Sequence, residues 1–501
     1  MEAFRRTRLS FRKSSGSNTS RRLSVAGFQA EHEQASPASS RRADHEHERS
    51  GSNGLAKRKE DLTDYIIPPN LRDQFALSCS SQRGSSGSDN AWSIYAARQN
   101  ESSGTSTNCS LFIFEKRLLE KLGKFRKKES ILQVLRNEPL QLGRLKHQRI
   151  LTLIRGFEET TEQLIFVSEP VVGSLSNFFG VTSSQDHPFP EMEVILGIYQ
   201  VSSRHVDLIR ICARVWRHDS RLFYLQITDA LRFLHSTQEL MHCNISPQSI
   251  IINSNGQWKL AGLNFVEQII DTTKTSPKFL GYNPKYPRLC QPDLDYVAPE
   301  AQIHQSMSPL ADMFSFGMVI CAIHHRGRSL INADNNIQTY MRILPELPEK
   351  YRGISDKLPK SLVEPVRKMI SEDVRERPTS QLFALLKIFN EPALLSYEGL
   401  LTLDTRSLNQ KKEFFNRFAK VISDFPPYIR YTKVLPHLKK WYYGSPELAP
   451  FVLPSILTAI HISETDDFQH YLADLLRELL VESKSLQVSP QIFTAFLSTP
   501  W

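Results

Sequence analysis

One stretch, Leu240 to Phe265, constrains the fold more than any other: LMHCNISPQSIIINSNGQWKLAGLNF. His242-Cys243-Asn244 leads into a loop containing Pro247. Ile250-Ile251-Ile252 then reads as a β run, Asn253 to Gly256 as a turn, and Gln257 to Ala261 as the returning run. The stretch is therefore a loop followed by a hairpin. Asn244, Ser246 and Ser249 precede the first strand, and Gly262-Leu263-Asn264 follows the second.

At 501 residues the chain has room for two or three domains, and 40% hydrophobic against 23% charged residues allows most of it to bury a core. The net charge of +9 is uneven. Residues 1–60 hold 13 Lys/Arg and 7 Asp/Glu, a net of +6, so the other 441 residues carry +3. The tail is rich in Ser, Arg, Gly and His, and too poor in apolar side chains to offset chain entropy. It reads as a disordered, solvated, phosphorylatable segment rather than a nucleic-acid arm, and Arg21-Arg22-Leu23-Ser24 has the form of a basophilic kinase substrate. The six cysteines are scattered, without C-x-x-C pairs or zinc spacing, which fits a reducing, cytosolic compartment. Met1 to Ser20 has no apolar core for a secretory signal, and Phe4 and Leu9 are too few for a transit-peptide face. The longest uncharged run, Leu448 to Ser463, is broken by Pro450 and Pro454 and is too short to span a bilayer. A soluble or peripheral protein is expected, with no transmembrane segment and no nucleic-acid partner.

The layout of the opening stretch resembles the catalytic loop, hairpin and metal motif of a protein kinase, H-R-D-x-K-x-x-N followed by D-F-G. The spacing is kept and the chemistry is not. His242 remains, but Asn244 stands for the base Asp, Ser246 for the Lys, Ser249 for the metal-binding Asn and Gly262 for the metal-binding Asp. Upstream, Ala91 to Ala96 alternates as a strand and Leu111-Phe112-Ile113-Phe114 is fully apolar. The glycine-rich loop would fall on Gly87, Asp89 and Trp92. Cys109-Ser110-Leu111-Phe112 matches V-A-I-K, so Phe112 takes the place of the phosphate-binding Lys; a register two residues on gives Phe114, and Lys116 or Lys121 is a substitute from nearby. Ser130 to Leu145 reads as a helix. Glu138, nine residues before His147, has the spacing of the helix Glu that bonds that Lys. With its partner gone and Pro139 disfavouring a helical conformation there, Glu138 is expected on the surface. Ser168-Glu169-Pro170-Val171 matches the hinge that holds adenine, where Glu169 and Val171 are vestigial nucleotide positions and Pro170 has no N–H to offer. Asp186 to Ser220 reads as an insertion, and Arg221 to His235 as a buried helix.

Further on, the residues that hold this fold are present. Tyr296 to Glu300 matches the A-P-E motif, Asp312 to Gly317 matches D-x-W-S-x-G with one aromatic exchange, and Asp373 to Pro378 matches the late large-lobe motif. The resemblance pairs Arg377 with Glu300 and makes Glu300, Asp312, Gly317 and Arg377 structural residues.

After residue 390 the pattern becomes helical. Lys412–Ile422, Tyr428–Trp441, Leu448–Ile460 and Asp467–Val481 read as helices at a period near that of stacked helical pairs, with Leu-Pro recurring at Leu435-Pro436 and Leu453-Pro454. The fold class expected is α+β: a disordered tail (1–60), a two-lobed protein-kinase-like domain (61–390) and the start of a HEAT-like α-solenoid (391–501).

This combination resembles the Scy-like pseudokinase family, within it the coated-vesicle-associated kinase branch. Trp92 to Tyr95, Phe112 to Lys116, Ser168 to Val171, Asn244 to Pro247, Leu294 to Glu300 and Ala449 to Pro454 carry the resemblance. It implies a cytoplasmic protein, peripheral on Golgi, endosomal and clathrin-coated vesicle membranes, with clathrin and adaptor complexes as partners. Leu400-Leu401-Thr402-Leu403-Asp404 has the form of a clathrin box, but its place beside the first solenoid helix favours burial.

Kinase catalysis needs two metal ligands, a phosphate Lys and a proton acceptor. Ser249, Gly262, Phe112 and Asn244 supply none of these, and the general base alone is worth about 10² to 10⁴ in rate. No catalytic residue, metal or cofactor is expected, beyond weak ATP binding. The reading is a pseudokinase scaffold; the alternatives are an atypical ATP-binding Ser/Thr kinase with residual phosphotransfer, and a module that recruits another kinase through its large lobe.

Overall fold

The computed structural model describes residues 67–78, 82–100, 106–122, 125–179, 221–269 and 281–482. The expected tail, the Arg21–Ser24 motif and the 186–220 insertion lie outside the described residues.

The first lobe is a six-stranded sheet of β1 (Phe75–Leu77), β2 (Gly84–Ser86), β3 (Trp92–Asn100), β4 (Ser106–Glu115), β5 (Leu153–Glu159) and β6 (Gln163–Ser168). Its order is β1-β3-β4-β6-β5, with β2 on β3. Alternation along β4 sorts its side chains between two cores. Leu111 and Ile113 join Phe75, Ile165 and Val167 in a small outer cluster. Phe112 and Phe114 join Trp92 and Phe166 in the main core, which continues into the second lobe. Helix α1 (Phe125–Arg144) packs on β5 and on the turn Leu263–Phe265. It starts earlier than the periodicity suggested, and it runs through Pro139 without breaking.

The second lobe contains the hairpin of the opening stretch. β7 (Val171–Ser174) pairs with β8 (Ile250–Asn253), and β8 also pairs with β9 (Trp258–Leu260), placing Ile252 opposite Trp258. The short helix α2 (Leu175–Phe179) follows β7. Helix α3 (Arg221–Arg232) continues into one π turn, Phe233–Thr237. Helix α4 (Pro309–His324) is buried along its length from Ala311 to Ile323, so it is enclosed on every side. Gly317 lets it approach helix α5 (Lys360–Met369): a Cβ there would come within 2.8 Å of Met369 Cβ and 2.9 Å of Ile370 Cγ2.

Beyond the kinase-like part lie α6 (Pro392–Leu401), α7 (Leu408–Phe418), α8 (Leu435–Gly444), α9 (Ala449–His461) and α10 (Ala473–Glu482). The four expected helices are present within a few residues; α6 was not anticipated. α8 is entered from Pro427 through a π turn, Arg430–Val434. That turn falls where Pro436, lacking an N–H, cannot bond the preceding turn. The two Leu-Pro pairs are not equivalent: Pro436 is in the first turn of α8, while Pro454 is inside α9. The clathrin-box leucines are not extended. Leu400 and Leu403 are buried, and Asp404 accepts from Lys440 at 3.2 Å.

Candidate nucleotide cleft

The face of β4 that carries Ser110, Phe112 and Phe114 looks onto the cleft between the lobes. Phe112, at the position of the phosphate Lys, is fully buried and stacks on Phe166 of β6, with ring centroids 4.6 Å apart. Trp92 meets the same Phe166 edge-on at 4.8 Å. An aromatic cluster thus occupies ground where a cation would face the phosphates.

Glu138 is not on the surface, contrary to the expectation above. It is fully buried, and its two carboxylate oxygens have separate partners. Trp92 Nε1 donates to Oε2 at 2.9 Å, and the Gly262 N–H donates to Oε1 at 2.8 Å. Burial pushes its pKa up to about 7, against these two hydrogen bonds, which favour the charged form. The surface reading failed because it assumed that a carboxylate deprived of its Lys must seek water. Two neutral donors, one on each side of the cleft, hold it instead, and they keep α1 docked despite Pro139.

The hairpin β2–β3 sets Gly84, Ser85 and Ser86 opposite Ile94, Ser93 and Trp92. Gly87 has φ +75°, and a Cβ on it would lie 2.8 Å from Trp92 Cδ1. The retained glycine therefore makes room for an indole. The hairpin is tied to the second lobe. Ser174 Oγ donates to the Ser85 carbonyl at 2.6 Å, Ser85 N–H to Asn177 Oδ1 at 3.1 Å, and Gly87 N–H to the Gln248 carbonyl at 3.3 Å. Asp89, at the tip, is exposed.

At the hinge, the Val171 N–H donates to Ser110 Oγ at 3.0 Å, and its carbonyl accepts from Arg83 at 3.4 Å. Backbone groups that could read an adenine edge are thus matched within the chain. The Glu169 side chain accepts from Lys259 Nζ at 2.5 Å, the Thr152 N–H at 2.9 Å and Asn253 Nδ2 at 3.2 Å.

In the catalytic-loop segment, His242 Nε2 lies 2.8 Å from the Ala261 carbonyl, and Asn244 Nδ2 donates to the Gly262 carbonyl at 3.3 Å. Burial lowers the His242 pKa. Ser249 Oγ donates to the Ser246 carbonyl at 2.9 Å and accepts from the Ser246 N–H at 3.0 Å. Gly262 has φ +70°, and a Cβ on it would meet Ser249 Cβ at 2.7 Å. The two former metal-ligand positions therefore press against each other. Among the described residues, no group of three or more His, Cys, Asp or Glu converges as for a metal. These residues do not fit metal-bound triphosphate.

The fold-holding residues form complete networks. Arg377 donates to both oxygens of Glu300, at 2.6 and 2.9 Å, and its guanidinium sits 4.8 Å from the Phe314 ring centre. Asp312 accepts from the His242 and Cys243 N–H groups at 2.7 and 2.9 Å and lies 3.0 Å from His235 Nε2. Burial would raise the Asp312 pKa, but the His235 bond and the neighbouring histidines outweigh it and hold the carboxyl below its ordinary range.

Sequence reasoning missed Ser110, Asn177, Gln248 and the role of Trp92. For Trp92 there was a signal: an indole at a glycine position beside a retained Glu is a donor in search of an acceptor.

The family model described as "Protein kinase domain" matches residues 116–389, just over half of the chain. SCY1-like protein 2 of Homo sapiens is 28% identical over 399 residues, which cover 79% of this chain and 40% of that protein. Protein kinase-like protein SCY1 of Saccharomyces cerevisiae is 29% identical over 368 residues, covering 69% of this chain and 43% of that one. The Dictyostelium discoideum protein named "Probable inactive serine/threonine-protein kinase scy1" is 20% identical over 447 residues, covering 82% and 45%. The chain thus spans less than half the length of each of these relatives. Scaffold motifs without the catalytic ones, on a two-lobed fold with helices behind it, agree with these likenesses: the chain belongs to the protein kinase domain family, in its Scy-like pseudokinase group.

Proposed function

We propose that this protein is a kinase-shaped scaffold that neither grips metal-bound ATP nor transfers phosphate, and that acts by holding other proteins together. The observation that carries this reading is the capture of Glu138 by Trp92 and Gly262. The acid that would orient a phosphate-binding Lys is spent on two neutral donors, and the cleft is bridged by its own hydrogen bonds. Thermal melting of the purified chain with and without magnesium and ATP tests it. No shift is expected; a shift of several degrees would overturn the reading in favour of an atypical Ser/Thr kinase with residual activity.

The setting we propose is vesicle traffic involving clathrin and its adaptor complexes, on the cytoplasmic face of Golgi, endosomal and clathrin-coated membranes. The family resemblance supports this setting, and the helical segment behind the kinase-like part offers a surface for it. No helix among the described residues is long and apolar enough to cross a membrane, which is compatible with peripheral attachment. Capture of clathrin or an adaptor from cytosol by the immobilised chain is the expected result. Failure to retain either would remove the setting and leave the scaffold reading standing.

A further inference from the structure

The helical segment concentrates positive charge. Residues 406–440 hold nine Lys/Arg and two Asp/Glu, a net of +7, while residues 61–501 together come to only +3. The rest of that span is therefore net acidic.

These cations converge because of how the helices pack. α7 and α8 both lie against α9. Lys411 on α7 and Lys440 on α8 approach the same indole, with Nζ 4.6 and 5.3 Å from the Trp441 ring centre. Lys412 lies 5.4 Å from the Phe451 ring centre on α9. Such contacts hold the long side chains in place while their charged ends stay near solvent. His437 and Lys440 follow at i and i+3 on α8, neighbours on one face of the helix. Burial lowers the His437 pKa, and the fields of Lys440 and Lys433 lower it further against Asp404. Asp404 pairs with Lys440 at 3.2 Å, but both side chains are more than half exposed, so the pair holds the charge weakly. Leu408, one turn before Lys412, is 40% exposed, and Tyr443, just past Trp441, is 42% exposed. Basic side chains bordered by exposed apolar and aromatic groups match a bilayer interface better than a purely ionic partner.

We propose that the cluster of Lys411 and Lys440 around Trp441, with Lys412 beside Phe451, is the face by which this protein docks on an anionic lipid bilayer. The inference rests on the vesicle setting above for its biology and not on the state of the cleft, whose test is separate.

Vesicle flotation of the full chain tests it, using phosphatidylcholine vesicles with and without phosphatidylserine. Binding is expected only with phosphatidylserine, and it should weaken as salt rises. Replacing Lys411, Lys412 and Lys440 by Glu should weaken it roughly 100-fold, and replacing them by Arg should preserve it. Because Lys411 and Lys440 touch Trp441, melting curves must accompany the variants. A second variant, Lys412→Glu alone, leaves the contacts of Trp441 intact and should still lose roughly 5-fold. Arg21→Glu with Arg22→Glu controls for the basic tail and should leave binding nearly unchanged. Unaltered binding after charge reversal in folded protein would overturn the proposal. So would loss of binding through the tail variant alone, or patch-dependent capture of duplex DNA or poly-glutamate without patch-dependent vesicle binding.

Discussion

Trp92 and Glu138 join β3 to α1 through a hydrogen bond of 2.9 Å from the indole N–H to a fully buried carboxylate. An active kinase places a lysine ammonium against this acid. Here the donor is neutral, points inward and cannot extend toward a phosphate. The same carboxylate takes the Gly262 N–H from the second lobe, so one side chain ties three elements across the cleft.

Replacing Trp92 by Phe removes the donor and keeps most of the ring. The loss leaves a buried oxygen short of a partner, which costs about 1–3 kcal/mol. Urea denaturation should register that decrease. Unchanged stability would show that this hydrogen bond does not hold α1 in place.

Glu138 should also give stability a pH slope. Its folded pKa, about 7, is above the ordinary carboxyl value of 4.5, so the folded state binds the proton more tightly than the unfolded chain. The stabilisation is full below the lower value and is lost as pH rises through 4.5 toward about 7, at about 1.4 kcal/mol per pH unit. Asp295, also raised to about 7 by burial, adds to the same trend. Asp312, held low, acts with the opposite sign below the ordinary carboxylate range. Denaturation midpoints across this window should fall with pH more steeply for the native chain than for Glu138→Gln. Equal slopes would contradict the assignment.

Restoring residues at single positions should not restore nucleotide binding. Gly262→Asp places a Cβ at φ +70°, against Ser249, and should destabilise the fold by about 1–3 kcal/mol. Phe112→Lys would bury an ammonium beside Phe166. The double variant is expected to show no melting shift with magnesium and ATP. A clear shift would mean that the cleft opens more readily than its packing suggests.

The helical segment is anchored to the kinase-like part by an ion pair. Arg149, with a side chain only 2% exposed, binds Glu398 of α6, and Gln226 donates to the same carboxylate at 3.1 Å. Glu398→Ala strands the guanidinium and should cost about 3–5 kcal/mol. Replacing both partners by Met should recover most of that loss. A double-variant stability as low as the single one would show that the cost lies in the lost Gln226 contact rather than in the ion pair.

The parts of this fold that were legible in the sequence are those written in short spans. The hairpin of the opening stretch and the apolar face of α3 each follow from nearest neighbours and one period, and the Tyr296–Glu300 and Asp312–Gly317 motifs from the family resemblance. Which residues stand at the chemical positions followed from the kinase resemblance, with Phe112 and Phe114 both left open for the lysine. The pairings were not legible. Trp92 and Glu138 are 46 residues apart, Ser110 and Val171 are 61, and Arg149 and Glu398 are 249. Local propensity carries no information about such distances. A buried polar group must find a partner wherever the packed chain brings one, so the fate of Glu138 was settled by the meeting of β3, α1 and Gly262 in space.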